Sequence, residues 1–464
     1  MNAIFSRTQA LAWTGGHPMG ELPAGFSGVS TDTRSLAPGD LFVALRGERF
    51  DGHAYLAAAG DAGAGAALIS DELTLDPSLK IPRLAVRDPL TALAALARGY
   101  RELFSPTVVA VTGSVGKTST KELLAAALSP LGPVLKTAGN FNNEIGLPLT
   151  LFGLRAAHRA AVLEMGMNHA GEIARLTAIG LPSIGIVLNA RGVHLEQLGS
   201  IENVAKAKGE LFAGLPPKGV AVANADDALV LAQARASGRR TLTFGTAATA
   251  DVRLAGSDDR GLLGVELTCV IAGEPHHTRL GLLGAHNALN ACAALAGALA
   301  AGVDSRAAVA ALSLARPAPH RLAIVQIADG ITLLDDCYNA SPSSMKAALE
   351  TLRRAALGRR LGAILGDMLE LGPGEQALHE EVGLACHGLS FLLCVGPRAA
   401  AIATAARRVG VSAVHTVSEG EVAAGVSWLQ LHLEAGDALL LKGSRGMRLE
   451  RFGEALGAAA GGGH

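Results

Sequence analysis

Several absences narrow the field. The chain has almost no net charge: 40 Lys and Arg stand against 41 Asp and Glu, a formal balance of -1. No global field therefore argues for a nucleic-acid partner or an anionic membrane surface, and any anion must be bound locally. A C-x-x-C pair is also missing. The five cysteines, Cys269, Cys292, Cys337, Cys386 and Cys394, are scattered and odd in number, which points to free thiols in a reducing compartment. No apolar run approaches the length of a membrane span, and the opening MNAIFSRTQALAWTGG has no basic stretch leading into a long apolar one. These absences together predict a cytoplasmic protein with no membrane span. The tail GAAAGGGH has nothing with which to build a packed element and is expected to be a disordered end.

One further absence is local. VVAVTGSVGKTST, residues 108–120, ends like the phosphate loop G-x-x-x-x-G-K-[ST] but does not begin like one, because Val111 stands where the first glycine belongs. What remains still suits a triphosphate. Gly113 and Gly116 permit a tight turn that points N–H groups inward, and a helix starting near Lys117 adds its positive end. Lys117 reaches the outer phosphates, and the Thr118 hydroxyl is placed to ligate magnesium. A Gly-x-x-Gly turn after a strand can be purely structural; the continuation Gly116-Lys117-Thr118-Ser119 favours a nucleotide site.

With 464 residues, 49% of them hydrophobic and 17% charged, the chain is too long for one core and should divide into two to four domains. Up to Val86, apolar runs such as DLFVAL and AALIS are separated by turns, including APGD, and read as a small α/β domain. DPLTALAALARGYREL then reads as a helix, TVVAVT as a buried strand and TSTKELLAAALS as the helix after the loop. AAVLEMG, SIGIVLN and GVAVANAD continue a mostly parallel sheet with helices on both faces. LARPAPHR makes a linker. Beyond it GITLLDDCYNASP, RLGAILGDM, FLLCVGP and DALLLKGS give the short strands of a Rossmann-like domain. The expected fold class is α/β in three domains: residues 1–86, a central mononucleotide-binding domain over 87–314, and 315–464.

Phosphoryl transfer needs divalent metal held by acidic or His side chains at strand ends near the loop. Glu164, after AAVL, and His194, after SIGIVLN, have suitable positions, although alone Glu164 reads as an exposed strand-end acid and His194 as a solvent-facing or structurally bonded histidine. In SIENVAKAKGELF, Ser200 is placed to cap a helix whose apolar face carries Ile201, Val204, Ala205, Leu211 and Phe212. Lys208 falls on that face, where a lysine can simply snorkel or pair with an acid. Lys206 points about 200° away and should be solvated.

The form VTGSVGKTSTKE resembles the shortened loop of the Mur ligases, the ATP-dependent amide-forming enzymes of peptidoglycan synthesis. TDTRSLAPGDLFVALRGERFDGH, TAGNFNNEIGLPLTL, EMGMNHAGEIARLT, HLEQLGSIENVAKAKGELF, GAHNALNACAA, LLDDCYNASPSSM, GDMLELG and LKGSRGMRLE extend the likeness, in order, over nearly the whole chain. Within the family they are similar to the members that join D-alanyl-D-alanine to a UDP-N-acetylmuramoyl-tripeptide. The resemblance implies ATP and two Mg2+ ions, with Thr118, Glu164 and His194 as ligands and Lys208 carbamylated so that it helps hold the second ion. It implies that the loop residues Gly113 to Ser119, Val115 included, bind ATP together with Asn287, Arg321 and Asp336. Asn287 reads alternatively as a helix cap and Arg321 as half of an ion pair. For the acyl substrate it implies Thr33 and Arg34 on the UDP side, with Arg34 alternatively surface charge, and Asn140, Asn142 and Asn143, which also suit a plain turn. For the dipeptide it implies Tyr338 and Asn339. Ser341 and Ser343 stand where Asn and an acid are frequent, and Cys337 where Ser is usual. A monomer acting on small molecules is expected. A sister ligase with another acceptor and a folylpolyglutamate synthase share the loop and stand as alternatives.

Overall fold

The structure is a computed structural model, and it describes residues 3–47, 50–72, 80–192 and 198–457. The chain falls into two compact units, Met1–Arg253 with Cys292–Ala311, and Leu254–Ala291 with Leu312–His464.

The first unit opens with β1 (Phe5–Ser6) and β2 (His17–Met19), followed by β3 (Gly25–Phe26), β4 (Val29–Ser30), β5 (Leu41–Val43), β6 (Ala66–Ser70) and β7 (Arg83–Val86). β1 and β3 pair with each other, while the rest form a sheet in the order β2-β7-β6-β5-β4, parallel from β4 to β7. Helix Pro89–Arg101 follows, capped by Asp88 and carrying Pro at its first position, where proline's missing N–H costs nothing. Next come β8 (Thr107–Thr112), β9 (Val134–Lys136), β10 (Ala160–Glu164), β11 (Ile184–Val187), β12 (Val220–Asn224) and β13 (Arg240–Gly245). They lie parallel in the order β13-β12-β11-β8-β10-β9. β8, β10, β11 and β12 are buried almost throughout. A strand covered on both faces needs apolar residues on both, which is why these strands read as unbroken hydrophobic runs in the sequence. Connections leave β8 towards β9 on one side, and the chain later returns to β11 on the other. The C-terminal ends of β8 and β11 therefore flank a switch in strand order, where open α/β sheets collect ligands.

The second unit contains most of β14 (Val252–Asp259), then the antiparallel hairpin β15 (Val265–Ile271) and β16 (Glu274–Leu280). The hairpin was not anticipated from the sequence. Its strand VELTCVI nonetheless alternates buried and half-buried residues throughout, the period-two pattern of a sheet with one covered face. The unit's main sheet comprises β17 (Ala323–Gln326), β18 (Thr332–Asp335), β19 (Leu361–Gly366), β20 (Phe391–Val395), β21 (Ala413–Val417) and β22 (Ala438–Lys442). Its order is β17-β18-β22-β19-β20-β21, with only β17 antiparallel. All five cysteines are buried and none is in a disulfide. Among the described residues no helix is long and apolar enough to cross a membrane.

Candidate active site

Val111, the residue in place of the expected glycine, lies within β8 opposite Ile186 and Glu164 and is fully buried. The strand thus runs one residue past it to Thr112, and only residues 113–116 remain to turn the chain into helix Lys117–Leu128. Two glycines make so short a turn possible. Gly116, the N-cap, has φ +90°, a conformation that costs an L-residue about 1–2 kcal/mol. At Gly113 a Cβ would stand 2.8 Å from the Leu188 Cβ, so the loop could not lie against the end of β11 with any side chain there.

Residues just beyond β11 pin the loop. Asn189 accepts from the Val115 N–H at 3.0 Å and donates to the Val115 carbonyl at 3.1 Å. Its own carbonyl takes the Ser114 N–H, while Ser114 Oγ exchanges hydrogen bonds with the Arg191 backbone. Lys117 folds over the turn and donates to the Gly113 carbonyl at 2.8 Å. Val115 is half exposed and takes part through its backbone. Ser119 sits in the first turn of the helix, part-buried.

Glu164 ends β10 with 2% exposure. Its Oε1 accepts from Asn142 Nδ2 at 2.8 Å and lies 3.4 Å from Thr118 Oγ1. Its Oε2 is buried without a hydrogen-bond partner among the described residues; the buried Lys121 Nζ lies 3.9 Å from it. An ionised oxygen left in that state is costly, and a divalent cation beside Thr118 Oγ1 would relieve it with oxygen donors of the type magnesium prefers. Lys121 is a residue that sequence reading missed, since its burial depends on contacts that the helix pattern KTSTKELLAAAL does not announce. Lys208 lies in helix Ile201–Ala213, capped by Ser200 through the Asn203 N–H. It is 2% exposed. Burial, helped by repulsion from Lys117, lowers its pKa from 10.5 to about 7. Lys206 is exposed as expected, but so is Ile201, 41% open at the helix's first turn. His194 lies outside the described residues.

The other substrate candidates of this unit have local partners. Asn143 Oδ1 accepts from the Ile145 and Gly146 N–H groups, just ahead of helix Gly146–Leu151. The Asn140 carbonyl accepts from the Asn142 N–H at 2.6 Å. Arg34 is 88% exposed and forms a fork with Asp32, holding that carboxyl down at about 2; Thr33 is half-buried beside it.

In the second unit Asn287 is buried, and its amide donates to the Leu283 carbonyl at 2.7 Å and accepts from Asn290 at 3.0 Å. The guanidinium of Arg321 lies 4.1 Å from the centroid of the Tyr338 ring, a cation–π contact, and its Nε is buried without an acceptor among the described residues. Asp336, just past β18, accepts the Leu322 N–H and pairs at 2.5 Å with Lys442. Lys442, buried at the end of β22, also donates to the Asn339 carbonyl at 3.0 Å. It too was missed, although a lysine closing the apolar run ALLL was visible in the sequence. Ser341 caps helix Pro342–Ala355 in a reciprocal box with Ser344, and Ser343 Oγ lies 3.4 Å from Ser341 Oγ.

Three family models match in succession: the Mur ligase family catalytic domain over residues 25–101, the Mur ligase middle domain over 111–298, and the Mur ligase glutamate ligase domain over 320–445. The UDP-N-acetylmuramoyl-tripeptide–D-alanyl-D-alanine ligase of Escherichia coli K12 is 42% identical over 81% of this chain and 83% of its own. The crystal structure of MurF from Acinetobacter baumannii superposes with a TM-score of 0.88 at 31% identity, covering 97% of this chain and 98% of that one. That of MurF from Thermotoga maritima in complex with ADP gives 0.77 at 29% identity, covering 92% and 96%. A loop built on Gly113, Gly116 and Lys117, agreement with whole-length relatives and a matching α/β architecture lead to one conclusion: the chain belongs to the Mur ligase family.

Proposed function

We propose that this chain joins D-alanyl-D-alanine to UDP-N-acetylmuramoyl-tripeptide at the expense of ATP, making the pentapeptide precursor of peptidoglycan. The observation that carries the chemistry is the four-residue turn at Gly113–Gly116, with Lys117 folded over it and Thr118 beside the buried carboxylate of Glu164. The ligation named in the relatives, and the ADP held by the Thermotoga protein, support the choice of substrates. The reading also assigns the divisions at 86/87 and 314/315, a cytoplasmic location and a monomer. The end of β7 at Val86 supports the first division.

In this reading the loop N–H groups, the start of helix Lys117–Leu128 and the Lys117 ammonium hold the outer phosphates of ATP. A carboxylate oxygen of the tripeptide attacks the γ-phosphorus and ADP departs, leaving an acyl phosphate. The neutral amine of D-alanyl-D-alanine adds to that acyl carbon, loses a proton, and phosphate leaves as the amide forms. Thr118, Glu164 and a carbamylated Lys208 would hold magnesium, which when bound supplies positive charge to the transferring phosphoryl group. Support for the carbamate comes from the lowered pKa of Lys208, because the modification needs a neutral amine. Asn142, whose amide is bonded to Glu164, orients that carboxylate. Arg321, its Nε buried without an acceptor among the described residues, is assigned to ATP, together with Asp336 and Asn287. Tyr338 and Asn339 are assigned to the dipeptide, and Thr33, Arg34, Asn140 and Asn143 to the UDP-linked substrate.

The test is a phosphate-release assay with tripeptide labelled with oxygen-18 in its terminal carboxyl. Label is expected in the released phosphate, and only when ATP and D-alanyl-D-alanine are both present. Unlabelled phosphate would overturn the acyl-phosphate route, and turnover with a different amino acceptor would move the chain to a sister activity.

A further inference from the structure

In the second unit, the antiparallel register of β17 and β18, with Ala323 opposite Asp335, carries residues 320–322 alongside the loop that leaves β18. The Tyr338 N–H closes this arrangement on the His320 carbonyl at 3.2 Å. His320 and Leu322 have φ of +61° and +52°. Left-handed backbone is uncommon at non-glycine residues, and here the His320 ring reaches Asp335 and Cys337 at the start of the loop. Nδ1 of His320 lies 2.7 Å from Asp335 Oδ2 and 3.6 Å from Cys337 Sγ. Glu450 Oε2 is 4.0 Å from the same sulfur, while its Oε1 pairs with Arg445 at 3.0 Å.

We propose that His320, Asp335 and Cys337 form a binding site for a thiophilic divalent cation of the Zn2+ type, with Glu450 at the fourth corner. A tetrahedral ion with bonds of about 2.0–2.3 Å sets its ligand atoms roughly 3.3–3.7 Å apart. The separations of 2.7, 3.6 and 4.0 Å bracket that spacing, so modest side-chain rotation completes the site. One thiolate, one imidazole and carboxylates make a set that suits zinc or cobalt; magnesium, which prefers six oxygens, gains nothing from the sulfur. Without a cation, burial and the neighbouring Asp335 keep the Cys337 thiol protonated. Binding releases that proton to solvent as the metal–sulfur bond forms, so the acidic cluster gains one net positive charge, two from the cation less one from the proton.

The site is independent of the ligase reading, and cobalt tests it directly. Full-length chain stripped of metal by chelation and titrated with Co2+ should develop a near-ultraviolet thiolate-to-cobalt charge-transfer band that saturates at one equivalent. Zn2+ should bleach the band and excess Mg2+ should not. Cys337→Ser should abolish it. Asp335→Asn, which leaves the sulfur in place, should weaken Co2+ at least about tenfold, since losing even an outer partner of a metal ligand costs that much. No band in the wild type would mean a hydrogen-bonded cluster only. A band that survives Cys337→Ser, or an unchanged affinity in Asp335→Asn, would equally overturn the proposal; if Cys337→Ser does not fold, the wild-type stoichiometry and Asp335→Asn still decide it.

Discussion

Lys208 couples stability to pH in a definite direction. Its pKa is lowered from 10.5 to about 7 in the folded chain, so between those values the unfolded state binds more protons than the folded one, and stability rises with pH across that window. Below pH 7 the ammonium is charged in both states and the full burial penalty applies, up to about 5 kcal/mol. In bicarbonate-free buffer, denaturant unfolding of the wild type should therefore show stability increasing from pH 7 to 10, and Lys208→Met should flatten the rise. An unchanged slope would show that the lysine is solvated. For turnover, Lys208→Ala is expected to lose activity that added bicarbonate does not restore, whereas Lys206→Ala, on the exposed side of the same helix, should stay within about twofold of the wild type.

Among elements, the phosphate turn depends on a neighbour in space rather than in sequence. The Asn189 side chain accepts from the Val115 N–H and donates to the Val115 carbonyl, so the loop is ordered before any nucleotide arrives. Asn189→Ala would leave that ordering to be met on binding. ADP affinity measured by calorimetric titration should fall about tenfold, which is about 1.4 kcal/mol. Equal affinity would mean the glycines alone shape the turn. The helix Pro342–Ala355 offers a contrasting case. Ser341 is its cap, so Ser341→Ala should cost about 1 kcal/mol in urea unfolding and leave the KM for D-alanyl-D-alanine within about twofold; a large KM change with intact stability would make Ser341 a substrate contact.

These two elements also indicate what a sequence can disclose. β8, β10, β11, β12, β19, β20 and β22 were legible because strands covered on both faces must be apolar throughout, and Ser200 because a cap precedes its helix by a fixed offset. Glu164 and Lys208 could be placed by strand end and helix face. Contacts between distant parts of the chain could not: the Lys121–Glu164 contact, the Asn189 pin on the loop and, in the second unit, the Asp336–Lys442 pair all join residues far apart in sequence. Asn143 and Asn287 make the same point in reverse. Their amides are bonded to nearby backbone and side-chain groups, and only coordinates separate an amide used that way from one held out for a ligand.

At the scale of the whole molecule, each compact unit has its own apolar core, and a chain built in this way need not unfold in a single step. Differential scanning calorimetry should resolve more than one transition. The phosphate turn, Glu164 and Lys208 all belong to the unit formed by Met1–Arg253 and Cys292–Ala311, so ADP with Mg2+ should raise the transition of that unit. At a ligand concentration of about 100 Kd the stabilisation is about 2.7 kcal/mol. Lys117→Ala should leave the thermogram of the unliganded protein nearly in place while removing the nucleotide shift, because Lys117 is part-buried and its Nζ donates to the turn rather than filling the core. A single transition that ADP moves as a whole would show that the two units fold as one cooperative body. A nucleotide shift surviving in Lys117→Ala would separate nucleotide affinity from this lysine and leave it a part in turnover alone.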